Sequence, residues 1–136
     1  MPVSRRKARE LALQVLYQID FTKQSSKDAL QLFHNHFYPN KEPDEYTNRI
    51  VQGVEAYREE IDRLLRKYSE NWSLERMSPV DRNILRIAIF EILWCFDIPP
   101  KVSINEAIEL GKKFSTEKSS PFINGILDKI SHSEKR

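Results

Sequence analysis

The segment VDRNILRIAIFEILWCF, residues 80–96, is apolar on nearly every side once wound at 3.6 residues per turn. A helix of that kind is stable only when neighbours cover it all round, so it anchors a core and the rest of the chain must wrap it. Its ends are written in the sequence. Ser78, Pro79 and Asp81 supply a capping hydroxyl, a proline at the first helical position and an acid at the third, while Pro99 and Pro100 stop it. A chain of 136 residues is about one domain's length, enough to bury such a helix.

The wrapping segments also read as helices. In SRRKARELALQVLYQIDF, residues 4–21, Ala8, Leu11, Ala12, Val15, Leu16 and Ile19 fall on one face. The same arithmetic puts Arg6, Leu13 and Tyr17 on the opposite face. Ser25 or Ser26 can cap a second helix carrying Leu30, Phe33 and Phe37, ended by Pro39 and Pro43. From Asp44, the residues Tyr46, Ile50, Val54, Tyr57, Ile61, Leu64, Leu65 and Tyr68 continue one apolar stripe and predict a single long third helix. Trp72, Leu74 and Met77 predict a short helical turn. Ser103 and Glu106 form a capping box that opens a helix through Phe114, and Ser120 and Pro121 open a last one through Ile130. Asn124-Gly125 can mark a hairpin, but the two or three apolar residues on each side are too few for a sheet.

The expected fold is therefore all-α, with six or seven helices in one domain spanning 1–136. The break near residues 69–79 divides it into an N-terminal subdomain, 1–70, and a C-terminal one, 71–136. Cys95 is the only cysteine, so no disulfide or zinc framework forms within one chain, which fits a reducing cytoplasm. The basic start lacks the apolar region of a secretory signal, and no apolar run reaches membrane-spanning length. His34, His36 and His132 have no metal-ligand spacing, no glycine-rich phosphate loop exists, and Cys95 reads as a small core hydrophobe. No metal, cofactor or catalytic residue is expected. Glu59, Glu60 and Asp62 lie three or four residues from Arg58, Arg63 and Arg66, the pattern of solvated ion pairs on a helix surface.

Net charge is only +2, yet residues 1–9 hold four bases and no acid. Arg5, Arg6, Lys7 and Arg9 sit where the helix dipole is already positive, which is mildly unfavourable for the helix and favourable for an anion. Tyr17 lies about 16 Å along from Arg6, at ~1.5 Å per residue, a span of a few nucleotides. Phosphates at the arginines and a base stacked on Tyr17 would fit single-stranded RNA.

RRKARELALQVLY (5–17), VDRNILRIAIFEI (80–92), VSINEAIELGKKF (102–114) and PFINGILDKI (121–130) resemble, in this order, the NusB family of bacterial transcription antitermination factors. The resemblance implies two packed helical bundles and an RNA-binding function in transcription antitermination. It implies binding of boxA RNA with NusE, a small ribosomal-subunit protein, on an elongating RNA polymerase with other Nus factors, in support of rRNA transcription. Carried over, the arginine-rich motif is Arg5, Arg6, Lys7 and Arg9, and the stacking tyrosine is Tyr17. Asp81, Lys118 and Phe122 match the RNA-facing surface. Asp81 equally suits a helix cap, and Phe122 equally suits the core. Lys118 stands where relatives can carry an acid, and Gly111 where alanine is more usual, at about 1 kcal/mol of helix propensity unless close packing requires it. The alternative reading is a helical protein-interaction or RNA-binding accessory module for an RNA-modifying enzyme.

Overall fold

The computed structural model describes residues 3–39, 44–69 and 73–134; Pro43 and Trp72, used above as signals, lie outside them. Among the described residues the chain forms seven α-helices and one 3₁₀ turn, and it divides into two compact units, Met1–Ala56 and Tyr57–Arg136. The division falls after Ala56 rather than near residue 70, because the helix that follows Tyr57 packs on the C-terminal helices.

The first unit holds α1 (Arg5–Thr22), α2 (Ser26–Phe37) and α3 (Glu45–Ala56), each packed on the other two. Ser4 caps α1, its hydroxyl accepting from the Lys7 N–H at 3.0 Å, and Ser25 caps α2 in the same way from Asp28. α1 ends on Lys23, held in the left-handed region at φ 61° with its N–H bonded to the Ile19 carbonyl. The predicted stripe from Ala8 to Ile19 is buried as expected. Arg9, Glu10 and Leu13 are buried too, so the helix is covered on all sides from Ala8 to Leu13. The expectation that Leu13 shares a wet face with Arg6 and Tyr17 is thereby corrected: a helix flanked by two neighbours buries more than one stripe.

The second unit holds α4 (Arg58–Tyr68), the 3₁₀ turn (Leu74–Arg76), α5 (Pro79–Trp94), α6 (Pro100–Phe114) and α7 (Ser119–Ser133). The single long third helix is not formed. α3 stops at Ala56, and Tyr57, at φ −107° and ψ 17°, caps α4. Its ring stacks on Trp94 at 4.3 Å between centroids, an aromatic contact in exchange for helix continuity. α5 is the central helix predicted, with Asn83 to Ile92 buried without interruption and α4, α6 and α7 packed on it. Ser78 caps it as read, accepting from the Asp81 N–H at 3.1 Å.

α6 begins at Pro100, three residues before the predicted capping box. Ser103 is buried inside the helix, and its hydroxyl donates to the buried Glu91 of α5 at 2.9 Å, supplying that carboxylate with a partner where burial demands one. Asp62, read above as surface, is also buried. Arg86 of α5 grips it with two parallel N–H donors at 2.9 and 3.0 Å and donates a third to Asn83 at 3.0 Å.

Gly111 sits where α6 and α7 approach closely. A Cβ there would lie 3.0 Å from Cδ1 of the fully buried Ile123 on α7, so the glycine permits a close α6–α7 approach. Gly111→Ala is expected to change stability by less than about 1 kcal/mol. The ~0.8–1.0 kcal/mol of helix propensity gained is offset by the cost of moving a packed methyl group. Urea denaturation checks it; a gain of the full propensity would mean that Ile123 has room to spare.

Candidate nucleic-acid interface

Burial of Ala8 to Leu13 leaves the two ends of α1 to face solvent. At its N-terminus Arg5, Arg6 and Lys7 are exposed, beside first-turn N–H groups that carry the positive end of the helix dipole. Arg9 is only 4% exposed, so it does not belong to the solvent-facing set. Arg5 and Arg9 instead converge on the ring of Tyr46 from α3, with their guanidinium carbons 4.5 and 5.6 Å from its centroid. Arg49, one turn further along α3, approaches the same ring at 5.7 Å.

Thr47 fixes this register. Its amide donates to Asp44 at 2.9 Å, and its hydroxyl lies within reach of both the Asp44 carboxylate and the Ala8 carbonyl. The N-terminus of α3 is thus held against the first turns of α1, and Tyr46 is carried beside the arginines. Neither Tyr46 nor Arg49 was singled out in the sequence, where Tyr46 counted only as an apolar stripe position.

Toward the other end of α1, Tyr17 is 42% exposed and lies against Phe21, which is 63% exposed, at 5.0 Å between ring centroids. Two aromatic rings one helical turn apart in contact with water form a stacking surface that apolar burial does not account for. Phe21 was legible: it stands four residues after Tyr17.

The remaining candidates lie in the second unit. Asp81 is half-buried at the start of α5, and its two carboxylate oxygens accept from Ser115 at 2.7 Å and Ser119 at 2.9 Å. Those two hydroxyls are 2.8 Å apart. Asp81 therefore ties the end of α6 and the beginning of α7 to α5, in addition to receiving the Ser78 cap at its amide. Lys118 precedes the tied Ser119 and is exposed, and Phe122, one turn into α7, is half-buried. The structure thus brings Asp81, Lys118 and the first turn of α7 together through the serine pair. Ser115 and Ser119, the partners that define Asp81's setting, were not recognised in the sequence.

Among the described residues, no group of three or more His, Cys, Asp or Glu side chains is arranged to hold a metal ion, and no helix is long and apolar enough to cross a membrane. The candidates of the first unit are cations and exposed rings, groups that bind anions and flat apolar faces; those of the second are an exposed lysine, a half-buried ring and a carboxylate held by two hydroxyls.

The chain is similar to known proteins in sequence and in fold. The model described as the NusB family matches residues 6–132. The transcription antitermination protein NusB of Desulfatibacillum aliphaticivorans is 51% identical over 126 residues, covering 93% of this chain and 88% of that protein. NusB of Myxococcus xanthus is 46% identical over 131 residues, covering 93% and 94%. The structure of T. maritima NusB superposes with a TM-score of 0.85 at 38% identity, over 98% of this chain and 94% of that one. A crystal structure of the antitermination factors NusB and NusE in complex with dsRNA matches with a TM-score of 0.83 at 28% identity, over 95% and 96%. In sequence and in fold, over nearly its whole length, this chain belongs to the NusB family.

Proposed function

We propose that this protein is an RNA-binding transcription antitermination factor. It engages boxA-type single-stranded RNA together with NusE, on an elongating RNA polymerase carrying other Nus factors, and supports rRNA transcription. It works in the cytoplasm, by binding rather than by catalysis. The observation that carries the reading is the first turn of α1, where three exposed cations stand at the positive end of a helix whose middle is buried. Arg5 also contacts the Tyr46 ring, but three adjacent cations at a helix N-terminus are unfavourable to the helix itself and favourable to a phosphate backbone.

Arg5, Arg6 and Lys7 contact phosphates, and Tyr17, backed by Phe21, stacks a base. Arg9 supports the arginine cluster from beneath. Lys118 adds a phosphate contact from the second unit, with Phe122 beside it on α7. Asp81 is a positioning residue: its carboxylate holds Ser115 and Ser119 and so fixes the segment that presents Lys118. The hydroxyl clamp does not involve the side chain of Lys118, which is exposed.

Partnership gives the first test. NusE is expected to tighten RNA binding, and RNA to tighten NusE binding by the same factor, since coupling free energy is reciprocal. Calorimetric titration of boxA RNA with and without NusE, and of NusE with and without RNA, measures both. Independent binding events would remove the mechanism proposed here.

A further inference from the structure

Three guanidinium groups meet at one ring. The guanidinium carbons of Arg5, Arg9 and Arg49 all lie within 5.7 Å of the Tyr46 centroid, which is cation–π distance. They are consequently within about one Debye length of each other, ~10 Å at 0.1 M salt, so their positive potentials superpose rather than being screened apart. Two of the groups come from α1 and one from α3, and the Thr47 contacts at the N-terminus of α3 hold the two helices in that register. Tyr46 and Arg49 share a side of α3 because they are three residues apart.

Cation–π contact engages the face of a guanidinium and positions its plane, while its N–H donors lie in that plane, where a phosphate is gripped by two at once. We propose that α3 is part of the anion-binding surface, with Arg49 as a further phosphate contact and Tyr46 as the ring that positions Arg5 and Arg49 for a nucleic-acid backbone, buried Arg9 packing against the same ring. The inference rests on the RNA reading above and extends it from one helix to two. It assigns Arg49 a role that no N-terminal basic motif contains, and it gives buried Arg9 a function as the inner member of the stack.

The test is the salt dependence of binding to a short fluorescein-labelled single-stranded RNA, followed by anisotropy on the full chain. Each phosphate contact contributes a slope of about −0.7 on a log–log plot, which is roughly a 2.6-fold change in affinity between about 50 and 200 mM salt. Arg49→Ala is expected to flatten the slope by about that amount, and Arg49→Lys to retain it. Tyr46→Leu is expected to weaken binding, and Tyr46→Phe, which keeps the π face, to restore it. Thermal unfolding of each variant separates folding from binding. Were Arg49→Ala to lower the melting temperature and leave the slope unchanged while Arg6→Ala flattens it, Arg49 would be a structural clip and the inference would be wrong, with the RNA reading intact. Absence of salt-dependent RNA binding by the unsubstituted protein would overturn both.

Discussion

Asp62→Ala is expected to destabilise the protein by about 3–5 kcal/mol, because it leaves the Arg86 guanidinium buried without its carboxylate. Arg86 is 4% exposed at its side chain and Asp62 12%, and the pair is bidentate. In that setting the bidentate contact is the main offset to both desolvation costs, since Arg58 reaches Asp62 only at 3.7 Å and Asn83 brings no charge to Arg86, so removing one partner costs far more than the pair is worth net. Asn83 cannot compensate. Its side chain is already committed, accepting from Arg86 at 3.0 Å and donating to the Pro79 carbonyl at 2.8 Å. A second variant isolates the cause: Asp62→Leu combined with Arg86→Met removes both charges and is expected to recover most of the loss. Urea denaturation followed by circular dichroism measures each variant. By contrast, the exposed pair of Glu60 and Arg63, at 2.5 Å, is expected to be dispensable, since solvent screens it. A loss of under about 1 kcal/mol in Asp62→Ala would show that water reaches Arg86 and that the α4–α5 clip is not a buried one.

The second large effect is on binding. Replacing Arg5, Arg6 and Lys7 together with alanine is expected to weaken single-stranded RNA binding about a hundred-fold near 0.1 M salt. Three phosphate contacts at about −0.7 each give a combined slope near −2, and this acts over the decade between ~0.1 M and the ~1 M salt at which the release term vanishes. The Ser4 cap uses only the Lys7 amide and survives the change, while loss of Arg5 removes one contact from the Tyr46 ring, so circular dichroism of the triple variant checks that it folds. Tyr17→Ala is expected to cost about 1–3 kcal/mol by loss of stacking, without changing the slope. Fluorescence anisotropy of labelled boxA RNA checks both. A triple variant that binds like the unsubstituted protein would mean that the first turn of α1 is only a solvated terminus.

How far the sequence alone leads differs between elements. α5 was largely legible: its apolar surround and serine cap are local signals that act as read, whereas the helix stops at Trp94, and Pro99 and Pro100, expected to stop it, instead open α6. α3 and α4 were read as one helix because their apolar periodicity continues across Tyr57, and the signal against it, the stacking of Tyr57 on Trp94, joins residues far apart in sequence. Burial of Arg9, Glu10 and Leu13 was invisible for a related reason. Periodicity reports the main packed stripe of a helix and is silent about further coverage.

The same division runs through the site. The basic first turn of α1 and Tyr17 stand in one contiguous motif and were read from it. Asp62 was misread as surface: it does pair with its helical neighbour Arg58, at 3.7 Å, but its bidentate partner, Arg86, lies on another helix and the carboxylate is buried there. Ser103, read as a cap, proved to be the buried donor to Glu91, since a capping box and a mid-helix serine share the same spacing. Tyr46, Arg49, Ser115 and Ser119 act through contacts between segments distant in the chain, which no local pattern encodes.

The most direct test of the account is a side-by-side measurement of the salt slope of boxA RNA affinity, in the presence of NusE, for the unsubstituted protein, Arg6→Ala and Tyr17→Ala. The account predicts that Arg6→Ala flattens the slope by about 0.7 and weakens boxA and scrambled RNA alike, while Tyr17→Ala lowers affinity at every salt concentration along a parallel line. Identical slopes and affinities for all three folded proteins would contradict it and would place the RNA away from α1.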